Sequence, residues 1–471
     1  MTTIKFGTDG WRAIIADDYT VANVARVAQA TADWLLQYND QPSVLIGYDC
    51  RFGGKMFAET TASVMAANSI RVKLDPEFAS TPMVSLGAYK YNTDAGIILT
   101  ASHNPPEYHG YKLKGNFGGP SLPASIKEVE DLIQDQEIML PDQTFADYQK
   151  QGRIEHVNLE DLYIEHVKKN FDFELINKSD NLLAFDAMYG TGQNVMRRLL
   201  PNSVFVRCDE NPSFRGQAPE PIPKNLQPLQ DAIRENGNVD LGFGTDGDAD
   251  RIGMFDDEGQ FVDPHHIILL LIHYLHKYKG LNGKVVVSFA VSNKVKRLCE
   301  AHGLAYEITR IGFKHICKVM LEEDVLLGGE ESGGIAVKGH IPERDGIWDA
   351  LEILEFMAST GKSINELIQE VYEITGPLAY QRNDLHIPEE DKQRVIENCR
   401  NDAYKNFGDF TVTDVETIDG FKFYLGEDTT LMIRPSGTEP VLRVYAEAPD
   451  QAAVDKLQQA AKDTLLSSAM A

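Results

Sequence analysis

Through residue 375, short apolar runs alternate with longer segments of helical periodicity. This rhythm constrains the fold more than any other feature, because strands separated by helices pair mostly in parallel and need helices on their faces. Thr20 caps a segment in which Val21, Val24, Val27, Ala28, Ala32 and Leu35 recur at helical spacing. Strands at Val44–Ile46, Val72–Leu74 and Ala95–Leu99 alternate with helices at Phe57–Asn68 and from Thr81-Pro82, where proline suits the first helical turn. The pattern returns with strands Leu182–Phe185, Ser203–Val206 and Leu241–Phe243, and with helices through Met196–Leu200 and Leu226–Asn236. A third round runs from helix Ile267–Tyr278 through strand Val285–Phe289 and helix Val295–His302 to strand Tyr306–Thr309. After Gly376-Pro377 the rhythm breaks. Helix Glu389–Asn406, strands Phe421–Leu425, Leu431–Ile433 and Leu442–Ala446, and helix Ala452–Leu465 read as a small α+β unit. The expected domains are 1–145, 155–255, 256–375 and 378–471.

Composition closes off several function classes. A net charge of -26 opposes binding to nucleic acid or an anionic membrane, although a local basic pocket can still hold a small phosphate. Cys50, Cys208, Cys299, Cys317 and Cys399 are scattered and never spaced as CxxC, which fits reduced thiols and no zinc site. The N-terminal stretch lacks the pattern of a signal peptide, and the greasiest run, Ile267–Ile272, is far too short to span a bilayer. A cytoplasmic protein is expected.

Four loops carry the chemistry. Strand Ala95–Leu99 ends in Thr100-Ala101-Ser102-His103-Asn104, and Pro105-Pro106 forbid continuation, so Ser102 sits in a fixed loop at a strand terminus. Ligands bind beyond the carboxyl ends of strands in open α/β sheets. Taken alone the stretch reads first as a Ser/Asn turn. Ser102 beside His103 is no triad, since neighbours on extended chain point apart and the GxSxG elbow is missing. The second loop, Asp246-Gly247-Asp248-Ala249-Asp250-Arg251, converges three carboxylates, each pair repelling by about 4 kcal/mol at ~4 Å and an effective dielectric of ~20. A divalent cation relieves that repulsion, and oxygen ligation favours Mg²⁺ or Ca²⁺. An EF-hand wants glycine sixth and glutamate twelfth, where Arg251 and Asp257 stand, so Mg²⁺ is favoured. A solvated acidic turn, or a phosphatase with an aspartate nucleophile, are the alternatives. The third loop, Gly328-Gly329-Glu330-Glu331-Ser332-Gly333-Gly334, presents a carboxylate and a hydroxyl together, which suits adjacent sugar hydroxyls, with a flexible surface turn as the other reading. In the fourth, Arg434-Pro435-Ser436-Gly437-Thr438-Glu439-Pro440, the guanidinium fork, two hydroxyls and a glycine N–H suit a phosphate. Gly7-Thr8-Asp9-Gly10-Trp11-Arg12 and Gly312-Phe313-Lys314 are weaker anion-facing candidates, and His265, His266, His273 and His276 read as a helix face.

In this order the four loops resemble the α-D-phosphohexomutase family, over the whole chain and with one motif per domain. The resemblance implies three tandem α/β/α domains with mixed, mostly parallel sheets plus a smaller C-terminal α+β domain around a central cleft. It implies phosphorylation of Ser102, one Mg²⁺ on Asp246, Asp248 and Asp250 with the Ser102 oxygen, and sugar contacts from Glu330 and Ser332. Arg434, Ser436, Gly437 and Thr438 become the distal phosphate cradle. Arg12, His103, Lys112, Arg251 and Lys314 fall where the family has phosphate-facing or proton-handling groups. Lys112 and His103 are the candidate bases, whereas Arg12 can only stabilise charge. The implied reaction is hexose 1-phosphate to hexose 6-phosphate through a bound hexose 1,6-bisphosphate, in a monomer or homodimer. Several members have a histidine after Glu-x-Ser-Gly where this chain has Gly334. Glu331 and the PPEYHGYK segment look nearer the glucose and mannose members than the glucosamine ones, with glucose preferred. Mannose or dual specificity, then glucosamine, are the alternatives within the family; outside it stand the sugar phosphatase and a non-catalytic sugar-phosphate or Ca²⁺-binding protein.

Overall fold

A computed structural model describes residues 2–7, 9–136, 138–435 and 441–467. The first sheet runs in the order Trp11–Ile14, Tyr108–Gly115, Ala95–Leu99, Ser43–Tyr48, Arg71–Leu74, Ile154–His156, with the short strand Gly119–Pro120 beside Tyr108–Gly115. Its middle is parallel and buried throughout Ala95–Leu99, whereas Tyr108–Gly115 and Trp11–Ile14 run antiparallel. Two elements thus depart from the simple βα alternation. The PPEYHGYK segment turns back as a strand, which places Lys112 opposite Ile98.

The second sheet orders Phe261–Val262, Ile252–Phe255, Leu241–Thr245, Leu183–Asp186 and Val204–Val206; the third orders Tyr306–Thr309, Lys284–Ser288, Val325–Gly329 and Ile335–Val337. Each is parallel in part with antiparallel strands at one edge. The first sheet therefore extends to His156 and the second to Val262, past the expected boundaries at 145 and 255. Edge strands added by pairing leave no mark in local periodicity. The last sheet, Ala379–His386, Val441–Ala448, Thr430–Pro435, Phe421–Tyr424 and Asp414–Glu416, is antiparallel throughout. Its long helix ends at Arg400, earlier than expected, and Asn406 opens a small hairpin with Phe410–Thr411.

Helix starts follow the capping residues. Thr20 accepts from the Asn23 N–H at 3.2 Å, Ser80 caps Thr81–Lys90 with proline in its first turn, and Asp345 caps Gly346–Thr360. One hydrophobic core runs without a break from Leu45 and Val84 in the first domain through Phe185 and Phe243 in the second to Val285 and Leu351 in the third. The fourth domain has its own core around Val395, Phe407, Leu431 and Leu457. Only Phe289, Ala290, Met432 and Tyr445 form a small apolar cluster between the third and fourth domains among the described residues.

The first and third domains also meet through a fully buried ion pair. Glu343 Oε2 accepts from Lys114 Nζ at 2.8 Å and from Ser85 Oγ at 2.9 Å. Deleting Lys114 leaves the Glu343 carboxylate buried with only Ser85 and the more distant Arg344 beside it. Lys114→Met is expected to lower stability by about 3–5 kcal/mol in denaturant melts, and adding Glu343→Gln should recover most of it.

Candidate active site

Ser102 follows the buried strand Ala95–Leu99 and takes a left-handed backbone conformation, φ 52°. Its hydroxyl donates to Asp246 Oδ2 at 2.7 Å and lies 3.3 Å from His103 Nδ1. Asp246 starts the loop after strand Leu241–Thr245, and a Cβ on Gly247 would stand 2.7 Å from the Ser102 carbonyl oxygen. The two loops touch, and glycine permits it.

Asp246, Asp248 and Asp250 are fully buried, with one carboxylate oxygen from each within 4.8 Å of the others. Asp246 Oδ1 accepts from the backbone N–H of Asp250 at 2.9 Å and of Arg251 at 3.1 Å. Asp248 Oδ2 accepts from Thr81 Oγ1 at 2.6 Å and Lys112 Nζ at 2.8 Å. Asp250 Oδ2 lies 2.7 Å from Arg344 Nη2 and 3.5 Å from Lys112 Nζ. The Oδ1 atoms of Asp248 and Asp250 are buried without a partner among the described residues. Burial, then repulsion from Asp248 and Asp250, pushes the Asp246 pKa well above the usual carboxylate range. Three converging carboxylates, two orphaned oxygens and one reluctant anion fit a hard divalent cation.

The other candidate residues ring a cleft of about 560 Å³, within the usual range for small-molecule sites. Arg12, His103, Arg251, Lys314, Glu330, Ser332 and Arg434 all line it. The Nε groups of Arg12 and Arg251 are buried and unpartnered among the described residues, the condition of a site built for an anion. Burial, reinforced by the cations of Arg251 and Arg12, pushes the His103 pKa well below its ordinary value, so its imidazole is neutral. Burial opposes the charged form of Lys112, yet Asp248, Asp9 and Asp250 outweigh it and keep the ammonium protonated. Glu330 accepts from the Gly312 N–H at 2.8 Å, and burial followed by repulsion from Glu331 pushes its pKa up to about 7. Glu331 also lines the cleft and accepts from Ser288 Oγ at 2.9 Å. Arg434 is held by Asp419, Nε to Oδ1 at 3.2 Å. Ser436, Gly437 and Thr438 lie outside the described residues.

Several residues of the site escaped the sequence reading. Asp9 bridges Lys112 Nζ at 3.0 Å and Arg344 Nη2 at 2.9 Å. Arg344 lies in the proline-flanked charged run Pro342-Glu343-Arg344-Asp345, a signal that was available in the sequence. A Cβ on Gly334 would stand 2.5 Å from Arg344 Cδ, so the arginine stem fills the space beside the glycine. Arg443 pairs directly across from Arg434 in the last sheet and lines the same cleft. That pairing is visible only once the strands are in register.

Family models for the phosphoglucomutase/phosphomannomutase α/β/α domains I, II and III match residues 3–138, 161–259 and 263–374, and the model for the C-terminal domain matches residues 388–464. A phosphoglucomutase/phosphomannomutase of Thermococcus kodakarensis is 28% identical, with 95% of each chain covered. A phosphoglucosamine mutase of Limosilactobacillus reuteri is 30% identical, with 94% of each covered. A Thermus thermophilus crystal structure, described as a candidate phosphomannomutase, superposes with a TM-score of 0.87 at 32% identity over 99% of this chain and 100% of that one. With the phosphohexomutase domains matched in order and relatives alike along nearly their full length, the chain belongs to the phosphoglucomutase/phosphomannomutase family of the α-D-phosphohexomutase superfamily.

Proposed function

We propose that this phosphohexomutase interconverts α-D-glucose 1-phosphate and glucose 6-phosphate, with Ser102 as the phosphate carrier and glucose 1,6-bisphosphate as the bound intermediate. The observation that carries the reading is the Ser102 hydroxyl, held 2.7 Å from a carboxylate of a three-aspartate cluster beside a cation-lined cleft. A serine phosphate is a stable ester and can wait for substrate. Its ester O–P bond breaks as a new one forms to the free sugar hydroxyl, and that hydroxyl's proton leaves to a base. Of the two candidates His103 is neutral and Lys112 is already protonated, so His103 takes the proton and Lys112 stabilises charge. Return of the other phosphate to Ser102 closes the cycle. Asp246, Asp248, Asp250 and the Ser102 oxygen would hold Mg²⁺, which when bound neutralises the transferring phosphoryl group and the serine leaving oxygen. Arg12 and Arg251 would bind the phosphate at Ser102, Lys314 and Arg434 the distal one, with Ser436, Gly437 and Thr438 completing its cradle. Glu330 and Ser332 would take the sugar hydroxyls.

A second reading replaces glucose with glucosamine, and what favours it is the 30% identity to the Limosilactobacillus reuteri phosphoglucosamine mutase. An aspartyl nucleophile at Asp246 is disfavoured because both of its oxygens accept hydrogen bonds.

Ser102→Ala is expected to lower mutase turnover by more than about 10³-fold and to abolish the single phosphate found by intact-protein mass spectrometry. Unchanged turnover would remove Ser102 from the mechanism. Among glucose, mannose and glucosamine 1-phosphates, glucose should show the highest kcat/KM; a higher value for glucosamine would select the second reading. Chelation with EDTA should abolish turnover and Mg²⁺ should restore it. Glu330, a carboxyl raised to about 7, is neutral below that pH and an anion above it. Sugar hydroxyls donate to the anion, so KM should fall as pH rises through about 7. The Glu330→Gln profile should lack that step, while the substrate phosphate titrates alike in both proteins.

A further inference from the structure

Arg51 lies outside all four motif loops and does not line the cleft. It is nonetheless the group that holds the Ser102 loop together. Its Nη2 donates to the carbonyl oxygens of Ser102 and Asn104, both at 2.6 Å, and its Nη1 to those of Pro105 at 2.9 Å and Tyr108 at 3.0 Å. The guanidinium is fully buried, sits 3.3 Å from Asp49, and stacks over the Phe214 ring of the second domain at 5.0 Å. The amide side of Ser102 returns to the same place. Its N–H donates to Thr100 Oγ1 at 2.9 Å, and that hydroxyl donates to Asp49 Oδ2 at 2.5 Å.

Both peptide groups around Ser102 are therefore anchored on the Asp49–Arg51 pair. The anchoring has work to do, because a left-handed serine costs roughly 1–2 kcal/mol and persists only where its surroundings over-determine it. A planar guanidinium can serve four carbonyls in one loop; a lysine ammonium, with three donors on a point charge, cannot.

We propose that Arg51 is a positioning residue for phosphoryl transfer: its fork on four loop carbonyls, with Phe214 closing its face, sets where the Ser102 oxygen stands relative to the aspartate loop and the cleft. The inference rests on the reading of Ser102 as the phosphate carrier. Because Arg51 acts through Ser102 and reaches no substrate atom, its loss should fall on kcat and leave KM alone.

The test is steady-state turnover of glucose 1-phosphate with the bisphosphate present, for wild type, Arg51→Lys, Arg51→Ala and Phe214→Ala, each with its melting temperature. Arg51→Lys is expected to lower kcat on the order of 10²-fold, the usual result of misplacing a reacting atom by about 1 Å, with KM within about threefold of wild type. Guanidinium ion added to Arg51→Ala should raise kcat without raising its melting temperature, and Phe214→Ala should lower kcat by about tenfold. Wild-type kcat in Arg51→Lys overturns the proposal, as does a loss that tracks melting temperature and is not rescued by guanidinium. If Arg51→Ala does not fold, Arg51→Lys and Phe214→Ala decide between the same outcomes. Wild type inactive on glucose, mannose and glucosamine phosphates would instead overturn the phosphoserine reading and take this inference with it. Active wild type with unaffected variants overturns this inference alone.

Discussion

Three like charges buried on one short loop are the constraint around which the molecule is assembled. Asp246, Asp248 and Asp250 have no access to solvent, and each close pair costs about 4 kcal/mol even at an effective dielectric of ~20. The second domain, which supplies the loop, offers Arg251 beside Asp246 but not the partners of Asp248 and Asp250. Lys112 and Thr81 arrive from the first domain and Arg344 from the third. The backbone takes part too, since the Thr81 N–H donates to the Asp248 carbonyl at 3.0 Å. A loop that is repulsive in an isolated domain is thus satisfied only when three domains are docked. This accounts for the single core running through all three: the apolar contact that joins the domains is what keeps the cations in place.

A local excess of cations lets a protein of net charge -26 offer a site that suits a sugar phosphate. Arg12, Arg251, Lys314, Arg344, Arg434 and Arg443 are among the cations that face one cleft, where cations outnumber the carboxylates of Asp9, Glu130, Glu220, Glu330, Glu331 and Asp384 although the chain as a whole is acidic. Low-dielectric walls focus the local positive potential against the opposing global field. The fourth domain contributes its arginines from a core of its own and is joined to the third mainly by polar contacts. Tyr380 OH donates to the Ala290 carbonyl at 2.9 Å, Lys422 Nζ to that of Val291 at 3.3 Å, and Ser292 Oγ to Glu447 at 3.0 Å. Hydrogen bonds fix direction where a small apolar patch alone would not.

What the sequence revealed was local, and what it hid depended on pairing. Ala95–Leu99 and Tyr306–Thr309 form as read because an unbroken or half-buried apolar run bounded by turn residues needs no partner to be recognised. The three-aspartate loop and the proline-stiffened loops were legible for the same reason, since their chemistry is written in adjacent residues. Tyr108–Gly115 was not legible as a strand. Its Lys112 and Lys114 give it the look of an exposed polar stretch, yet both are fully buried, satisfied by carboxylates more than a hundred residues away. Arg51 was missed on the same ground, since an arginine that will be buried against distant acceptors looks, in one dimension, like any surface arginine; the partners of Asp9 (Lys112 and Arg344) are likewise far off in the chain.

Gly334 shows how such a long-range partner changes the chemistry. The family resemblance marks this position as one where several members carry a histidine, and without it the third loop loses a titratable group. The structure places the Arg344 stem against that glycine, with its guanidinium on Asp9 and Asp250 and its plane over the Phe313 ring at 5.3 Å. An imidazole can exchange a proton near neutral pH, but a guanidinium held by two carboxylates cannot. Filling the space with Arg344 therefore exchanges proton-handling capacity for fixed positive charge beside the aspartates. On the proposed reading the proton traffic then falls to His103, whose imidazole burial and the cations of Arg251 and Arg12 keep neutral. The glycine and the arginine stem fill one space, and Glu330 beside them, raised to about 7, is the group of that loop that still titrates near neutral pH.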